Sequence, residues 1–221
     1  MDGPTRMAFL KRFAPGLISL TGLYVLLTAY RDFRDNFARE IWIAIGYEEA
    51  PEIMTTSELP IAAGVLLTLA FIMVIRSNRS ALLLIHGIML AGTATIGLST
   101  AAYQAGVLPP AAWMILVGLG MYIAYVPYGC VLFDRLIAAV GFVATAGFMI
   151  YVTDASGYLG SVMLLLYKNF GQADLSWLDF FIGFSYTTSV VCTTLFVASL
   201  VYFERLTRSL TEPGDGAQAA K

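Results

Sequence analysis

Asp154 is the residue whose type and position in this sequence point most directly to chemistry. It lies near the middle of an apolar run from Val140 to Tyr167, where inserting a charged side chain into a membrane costs at least about 2.5–3.5 kcal/mol. Tyr151, Tyr158 and Ser161 share its face at helical spacing. Asp154, with Tyr158 beside it, therefore indicates a site for ion coupling or solute binding. The alternative is a carboxyl that is protonated, or hydrogen-bonded to a neighbouring helix for structure alone.

A second concentration of polar groups follows the first apolar run, between Tyr30 and Trp42. Thr21, Tyr24 and Thr28 precede it on one helical face, so a polar stripe extends from the membrane into the charged segment. In one interpretation the segment is an amphipathic extension at the membrane surface, with opposite charges paired four residues apart. In the other it lines a water-filled cavity and binds a solute or ion. The candidate binding residues are Arg31, Asp32, Arg34, Asp35 and Asn36.

Glu58 is a further candidate, at the start of the second apolar run. It follows Thr55 by three residues, which is the spacing of a helix capping box. Capping the helix and contributing a carboxylate to the solute or ion site are both open roles for this side chain.

The sequence contains none of the common motifs of soluble enzymes. It contains no GxGxxG, P-loop, HExxH or GxSxG motif. Cys130 and Cys192 both lie in apolar runs, without a second ligand at metal-binding spacing. We therefore predict a protein that is not an enzyme and has no catalytic residue, no metal and no cofactor.

The elements that position these residues are predicted to be membrane-spanning helices. Of the 221 residues, 58% are hydrophobic and 13% are charged, whereas soluble domains carry about 25% charged residues. A net charge of −2 gives no basis for a nucleic-acid partner. A spanning helix needs about 20 apolar residues, and six runs approach that length: residues 15–31, 58–75, 81–103, 110–132, 140–167 and 177–203. We predict an all-α bundle of six spans in residues 1–208, with the lipid bilayer as its surroundings and a disordered tail in residues 209–221.

Two local predictions concern the ends of these helices. The first helix contains no Gly or Pro near its charged end, so it is expected to continue unbroken through Arg31 to at least Arg39. Asp134 and Arg135 are expected to form a charged turn after the fourth span.

Lysine and arginine are distributed unevenly between the two sides of the predicted bundle. The side opposite the termini has Lys168 and, at most, the cluster of Arg31, Arg34 and Arg39. Loops rich in these residues stay in the cytoplasm, so both termini are predicted to be cytoplasmic. The residues on that side are Arg6, Lys11, Arg12, Arg76, Arg79, Arg135, Arg205, Arg208 and Lys221.

Three short motifs resemble a known family: residues 31–37 (RDFRDNF), 157–161 (GYLGS) and 133–135 (FDR). They are similar to DUF5690, a bacterial membrane family whose full-length members look like transporters of the major facilitator superfamily (MFS). The resemblance covers nearly the whole chain but only the C-terminal six-helix half of such a transporter. It implies two inverted three-helix repeats, a solute path near the membrane midplane and a bacterial inner-membrane location. Residues 1–106 and 109–205 show no sequence repeat of their own.

Two functions are compatible with these observations. The first is a half-size, MFS-like secondary transporter of a small solute that acts as a homodimer. The second is a membrane anchor or assembly subunit of a larger hetero-complex, which does not transport and uses the charged segment as a docking surface. What the polar stripe faces distinguishes them, because a water-filled cavity favours transport and a different protein chain favours assembly.

Overall fold

The computed structural model describes residues 2–172 and 174–211, and these residues are almost entirely helical, with no strand among them. Two π-helical segments, Tyr128–Leu132 and Tyr167–Gly171, continue α7 and α9. The α-helices in this part of the chain are α1 (Gly3–Arg12), α2 (Ala14–Asn36), α3 (Ala38–Ala44), α4 (Ile53–Thr56), α5 (Glu58–Val74), α6 (Asn78–Gln104), α7 (Pro110–Pro127), α8 (Phe133–Val140), α9 (Ala146–Leu166) and α10 (Trp177–Thr211).

Five helical segments are long and apolar enough to cross a membrane: Ile53–Val74, Asn78–Gln104, Pro110–Val140, Ala146–Gly171 and Trp177–Leu210. Helices α1 and α2 meet the same criterion only together, and they are bent by 91° relative to each other. We treat α2 as the first membrane helix, because its 23 residues reach about 34 Å and pack against two spans. The chain is a multi-pass integral membrane protein, as its composition predicts.

The bend between α1 and α2 lies at Phe13 and is enclosed by aromatic rings. The Phe13 ring centroid lies 5.1 Å from that of Phe9 and 5.8 Å from that of Phe142, which precedes α9. Phe9 and Phe13 are buried, so the corner between the two helices is part of the apolar core. This bend was not predicted from the sequence.

The predicted unbroken helix through Arg39 is wrong in one respect. Helix α2 continues through Arg31 as far as Asn36, but the backbone leaves helical geometry at Phe37 (φ −113°, ψ 20°) before α3 begins. The Phe37 ring stacks on Trp177 at a centroid distance of 3.9 Å. The break gives Phe37 this contact, and α3 then buries its own apolar residues against the bundle.

The predicted turn at Asp134 and Arg135 is also wrong, since both residues lie in α8. Pro127 lacks an N–H group, and the helical hydrogen bonding changes to a π-helical segment immediately after it instead of ending. Arg135 Nη1 donates a hydrogen bond to Asn78 Oδ1 at 2.9 Å. The helix ends at Gly141, whose φ of 63° is left-handed.

The last two spans also differ from their predicted limits. The fifth begins at Ala146 instead of residue 140, and the sixth continues to Thr211. Residues 209–211 of the predicted disordered tail are therefore helical, and residues 212–221 lie outside the described part of the chain.

The five candidate spans and α2 pack in a regular order. Helix α2 packs against α9 and α10, α7 packs against α5 and α6, and α6 packs against α10; a smaller contact joins α2 to α7. Small residues allow the closest approaches. At the α6–α7 contact, a Cβ atom added to Gly92 would lie 2.5 Å from the carbonyl oxygen of Gly120. At the α2–α9 contact, one added to Gly157 would lie 2.7 Å from Thr28 Oγ1.

The buried side chain of Lys168 stabilises the connection between the fifth and sixth spans. It is 3% exposed, and its ammonium group donates hydrogen bonds to the carbonyl oxygens of Gln172 at 2.9 Å and Leu175 at 2.7 Å. The same Nζ lies 4.5 Å from the ring centroid of Trp177. The π-helical segment after α9 carries Lys168, so this segment and the loop that follows it are tied together by one buried cation.

We expect Lys168→Met to lower the free energy of unfolding by about 2 kcal/mol, because two loop carbonyls lose a charged donor. Thermal unfolding of the purified protein in detergent measures the effect. Arg39→Met is the matched control, since Arg39 is exposed, and it should change stability little. Equal stability of the two variants would contradict the structural role of Lys168.

Candidate functional site

Asp154 is joined to Arg31 by a chain of two tyrosine hydroxyl groups. Tyr24 donates a hydrogen bond to Asp154 Oδ1 at 2.7 Å, and the hydroxyl oxygens of Tyr24 and Tyr125 lie 3.0 Å apart. Arg31 Nη1 donates to the Tyr125 hydroxyl. Arg31 also donates to Asp32 Oδ1 from Nε at 2.9 Å and from Nη2 at 2.6 Å. We call these five residues the Asp154 cluster.

The Tyr24 hydroxyl is the donor at both of its contacts in this chain. A guanidinium group only donates, so the Tyr125 oxygen accepts from Arg31. Tyr24 has a single hydroxyl hydrogen, which can be directed either to Asp154 Oδ1 or to the Tyr125 oxygen. The chain therefore connects the Arg31 guanidinium group to the Asp154 carboxyl group through two hydroxyl groups, and the hydrogen of Tyr24 has two alternative acceptors.

Aromatic stacking holds the first tyrosine of the chain in place. The Tyr24 ring stacks on Tyr125 at a centroid distance of 5.2 Å and on Tyr128 at 4.3 Å. Tyr128 is buried and donates to the carbonyl oxygen of Leu20 at 3.0 Å. The Tyr24 hydroxyl is thus positioned by α7 and by its own helix, independently of Asp154.

A second arrangement of the same kind lies further along α2, centred on Arg34. The Arg34 side chain is 3% exposed and donates to Glu58 Oε1 at 2.7 Å and to Asp35 Oδ1 at 3.3 Å. Tyr122 donates to Asp35 Oδ2 at 3.0 Å. The guanidinium group fits because Gly118 has no side chain; a Cβ atom there would lie 2.6 Å from Arg34 Nη2. We call Arg34, Asp35, Glu58 and Tyr122 the Arg34 cluster.

Most of the chain matches one known protein family. Residues 1–206 match the family described as "Family of unknown function (DUF5690)". The chain belongs to the DUF5690 family. Neither a curated protein nor a solved structure matches it. Both clusters lie inside the matched region.

Most of the predicted site residues of this DUF5690 protein come together in the two clusters. Asp154 and Arg31, which are far apart in sequence, meet through the tyrosines, and Asp32 joins the same cluster. Arg34 and Asp35 meet Glu58. The predicted capping box is wrong, because the start of α5 has no side-chain cap and Glu58 accepts from Arg34 instead.

Two predicted site residues lie outside both clusters. Tyr158 is 59% exposed although it shares a helical face with Asp154. Asn36, at the end of α2, is exposed as well. In α9, Gly157 lies against Thr28 of α2 and Gly160 lies against Val25, whereas Tyr158 lies on the exposed side of the helix.

The tyrosines of α7 were not predicted as site residues. Tyr122 and Tyr125 each complete one cluster, and their three-residue spacing within an apolar helix is the sequence signal that identifies them.

The polar stripe of α2 is partly covered by the protein itself. Thr28 is 2% exposed against α9, whereas the Arg31 and Asp35 side chains are 19% and 42% exposed.

Proposed function

We propose that this protein is a secondary transporter in which Asp154 couples proton movement to a small solute. The observation that carries the proposal is the hydrogen-bonded chain from Arg31 through Tyr125 and Tyr24 to Asp154, inside helices that cross the membrane. A carboxylate placed there at a cost of a few kcal/mol is typical of proton relays.

The balance of charge supports coupling to a cation. Arg31 donates a hydrogen bond directly to Asp32 and is connected to Asp154 through the two tyrosines. Arg34 forms ion pairs with Asp35 and Glu58. Each cluster therefore has one arginine for two carboxylates, and a net charge of −1 when both carboxylates are ionised. A low-dielectric surrounding makes such an imbalance costly. One proton on each cluster removes it.

The order of helix packing supports an MFS-like arrangement of two three-helix repeats. If α2, α5 and α6 are exchanged with α7, α9 and α10, the α2–α9 contact becomes α7–α5 and the α2–α10 contact becomes α7–α6. The α6–α10 and α2–α7 contacts map onto themselves. Such an internal two-fold relation is a property of transporters built from inverted repeats, whose sites lie near the midplane between them.

We propose that the working form is a symmetric homodimer. In the spans that contain α5 and α9, 22% of the most apolar stretch is buried, against 44–50% in the spans of α6, α7 and α10. These two helices flank the side of the bundle on which Asp35 and Glu58 are 42% and 43% exposed. Leaving charged groups in lipid is costly, and two-fold self-association is the commonest way to cover such a face. The distribution of basic residues supports placing both termini in the cytoplasm of a bacterial inner membrane.

Assembly without transport is a second candidate, and one observation favours it. The carboxylates of Asp32, Asp35, Glu58 and Asp154 each have a hydrogen-bond donor within the chain. A network satisfied in this way also fits a purely structural role in an anchor or assembly subunit. Transport measurements separate the two functions.

The test uses proteoliposomes that contain a pH-sensitive dye, to which amino acids, organic acids, amines and sugars are added one at a time. We expect the wild-type protein to acidify or alkalinise the lumen with at least one solute. Asp154→Asn should reduce this signal at least tenfold, because the amide cannot take up the proton. Asp134→Asn, at an exposed helical position, is the matched control.

Unchanged proton movement in Asp154→Asn would exclude Asp154 as the coupling residue. A wild-type protein that moves none of the solutes, together with an Asp154→Asn variant that fails to assemble, would favour the structural role. Size-exclusion chromatography of each variant distinguishes loss of assembly from loss of coupling.

A further inference from the structure

A groove opens beside the bend between α1 and α2, and none of its lining residues belongs to either cluster. It has a volume of about 540 Å³. Its walls are apolar side chains of α2 and of the start of α9, with Leu17 and Ile18 on one side and Met149 and Val152 on the other. Ile18 is 71% exposed, so the groove opens to the outside of the bundle at this residue.

Lys11 lies at the mouth of this groove. It is the charged member of the groove lining, it is exposed, and it has no hydrogen-bond or ion-pair partner among residues 2–172 and 174–211. Arg12, also exposed, follows it at the end of α1. Asp2, the acidic residue of α1, is at the opposite end of the helix and accepts a hydrogen bond from the backbone of Thr5 at 3.0 Å. Within the described part of the chain, neither Lys11 nor Arg12 forms an ion pair.

The geometry places this charge at the membrane surface. Helix α1 is bent by 91° from the membrane helix α2, which is the orientation of a basic helix lying in the interface. From Ala14 to Gly22 the groove follows α2 for about 12 Å toward the hydrocarbon core. Lys11, at the water boundary, therefore lies at the end of an apolar groove that extends toward the hydrocarbon core.

We propose that this groove is a binding site for one anionic phospholipid. Lys11 and Arg12 attract the phosphate and the net negative charge of the headgroup, and one acyl chain lies along Leu17, Ile18 and Val152. A zwitterionic lipid carries its own positive group, which Lys11 and Arg12 repel, so the groove discriminates by headgroup charge and not only by chain. The inference is independent of the proposed transport activity.

Native mass spectrometry of the detergent-solubilised protein tests the proposal with phosphatidylglycerol and phosphatidylcholine of identical acyl chains. We expect the wild-type protein to bind phosphatidylglycerol at least tenfold more tightly. The double substitution Lys11→Gln and Arg12→Gln should remove most of this preference, by about fivefold for each charge. Arg39→Gln, an exposed arginine at the other end of the bundle, is the control and should leave it unchanged.

A second variant tests the apolar part of the site without changing charge. Val152→Trp fills the groove and should weaken binding of both lipids, while thermal unfolding reports whether the fold is kept. Equal binding of the two lipids by the wild-type protein, or an undiminished preference in the double variant, would overturn the proposal. Competition by glycerol phosphate, which has the headgroup chemistry but no chain, would overturn it too by showing that the apolar groove takes no part.

Discussion

Arg34→Met is expected to lower the free energy of unfolding by about 1.5–3 kcal/mol, the usual contribution of hydrogen bonds to a charged group, because the two carboxylates that it leaves are partly exposed to solvent. The Arg34 side chain is 3% exposed and is the cation for both Glu58 and Asp35. Methionine fills a similar volume but leaves the carboxylates of Asp35 and Glu58 without the hydrogen bonds that Arg34 donates. Equilibrium unfolding in mixed micelles, monitored by tryptophan fluorescence, measures the loss.

Two further variants separate charge from packing at this position. Adding Glu58→Gln to Arg34→Met removes one of the unpaired charges and should recover at least about 1 kcal/mol. Arg31→Met should cost less than Arg34→Met, since the Arg31 side chain is 19% exposed and more accessible to solvent. A cost at Arg31 equal to that at Arg34 would show that burial of the guanidinium group does not determine its contribution.

The second large effect is expected at the contact between α6 and α7. Gly92 and Gly120 lie so close that a Cβ atom on either would be 2.5–2.6 Å from the carbonyl oxygen of the other. Because the obstructing atoms are backbone, the contact yields only if the helices separate. We expect Gly92→Leu to destabilise the protein by about 3 kcal/mol, at the upper end of the cost of overpacking, and to lower the yield of the monodisperse protein.

Gly87→Leu is the control for this prediction. Gly87 lies in the same helix, and a Cβ atom there meets nothing within 4 Å. Helix propensity favours leucine over glycine by roughly 0.5–1 kcal/mol, so this variant should be as stable as the wild type or slightly more so. Similar destabilisation by both substitutions would show that the close α6–α7 contact is not what constrains position 92.

The positions of the membrane helices were predictable because they depend on a property of each segment alone. A run of about 20 apolar residues without charge spans a membrane whatever its neighbours are. For the same reason, the face that Asp154 shares with Ser161 follows from helical spacing, and so does the polar face of α2.

The partners across the bundle were not predictable in this way. Spacing shows which side of α2 carries Arg31, but nothing in one helix indicates that Tyr125 is the residue it meets. The break at Phe37 depends on a ring in α10, Trp177, and the burial of Lys168 depends on carbonyl groups of the following loop. Each of these features is a tertiary contact that overrides the local pattern.

The right angle at Phe13 limits how the protein can adapt to its membrane. Most spanning helices respond to a thinner bilayer by tilting. With α1 in the interface, as proposed for the lipid site, α2 cannot tilt far without lifting α1 out of the interface or driving it into the hydrocarbon, because the rings of Phe9, Phe13 and Phe142 fix the corner. The lipid and the opposite ends of the helices must then adjust to the bilayer thickness. Asp154, held to α2 through Tyr24, then keeps a constant distance from α1.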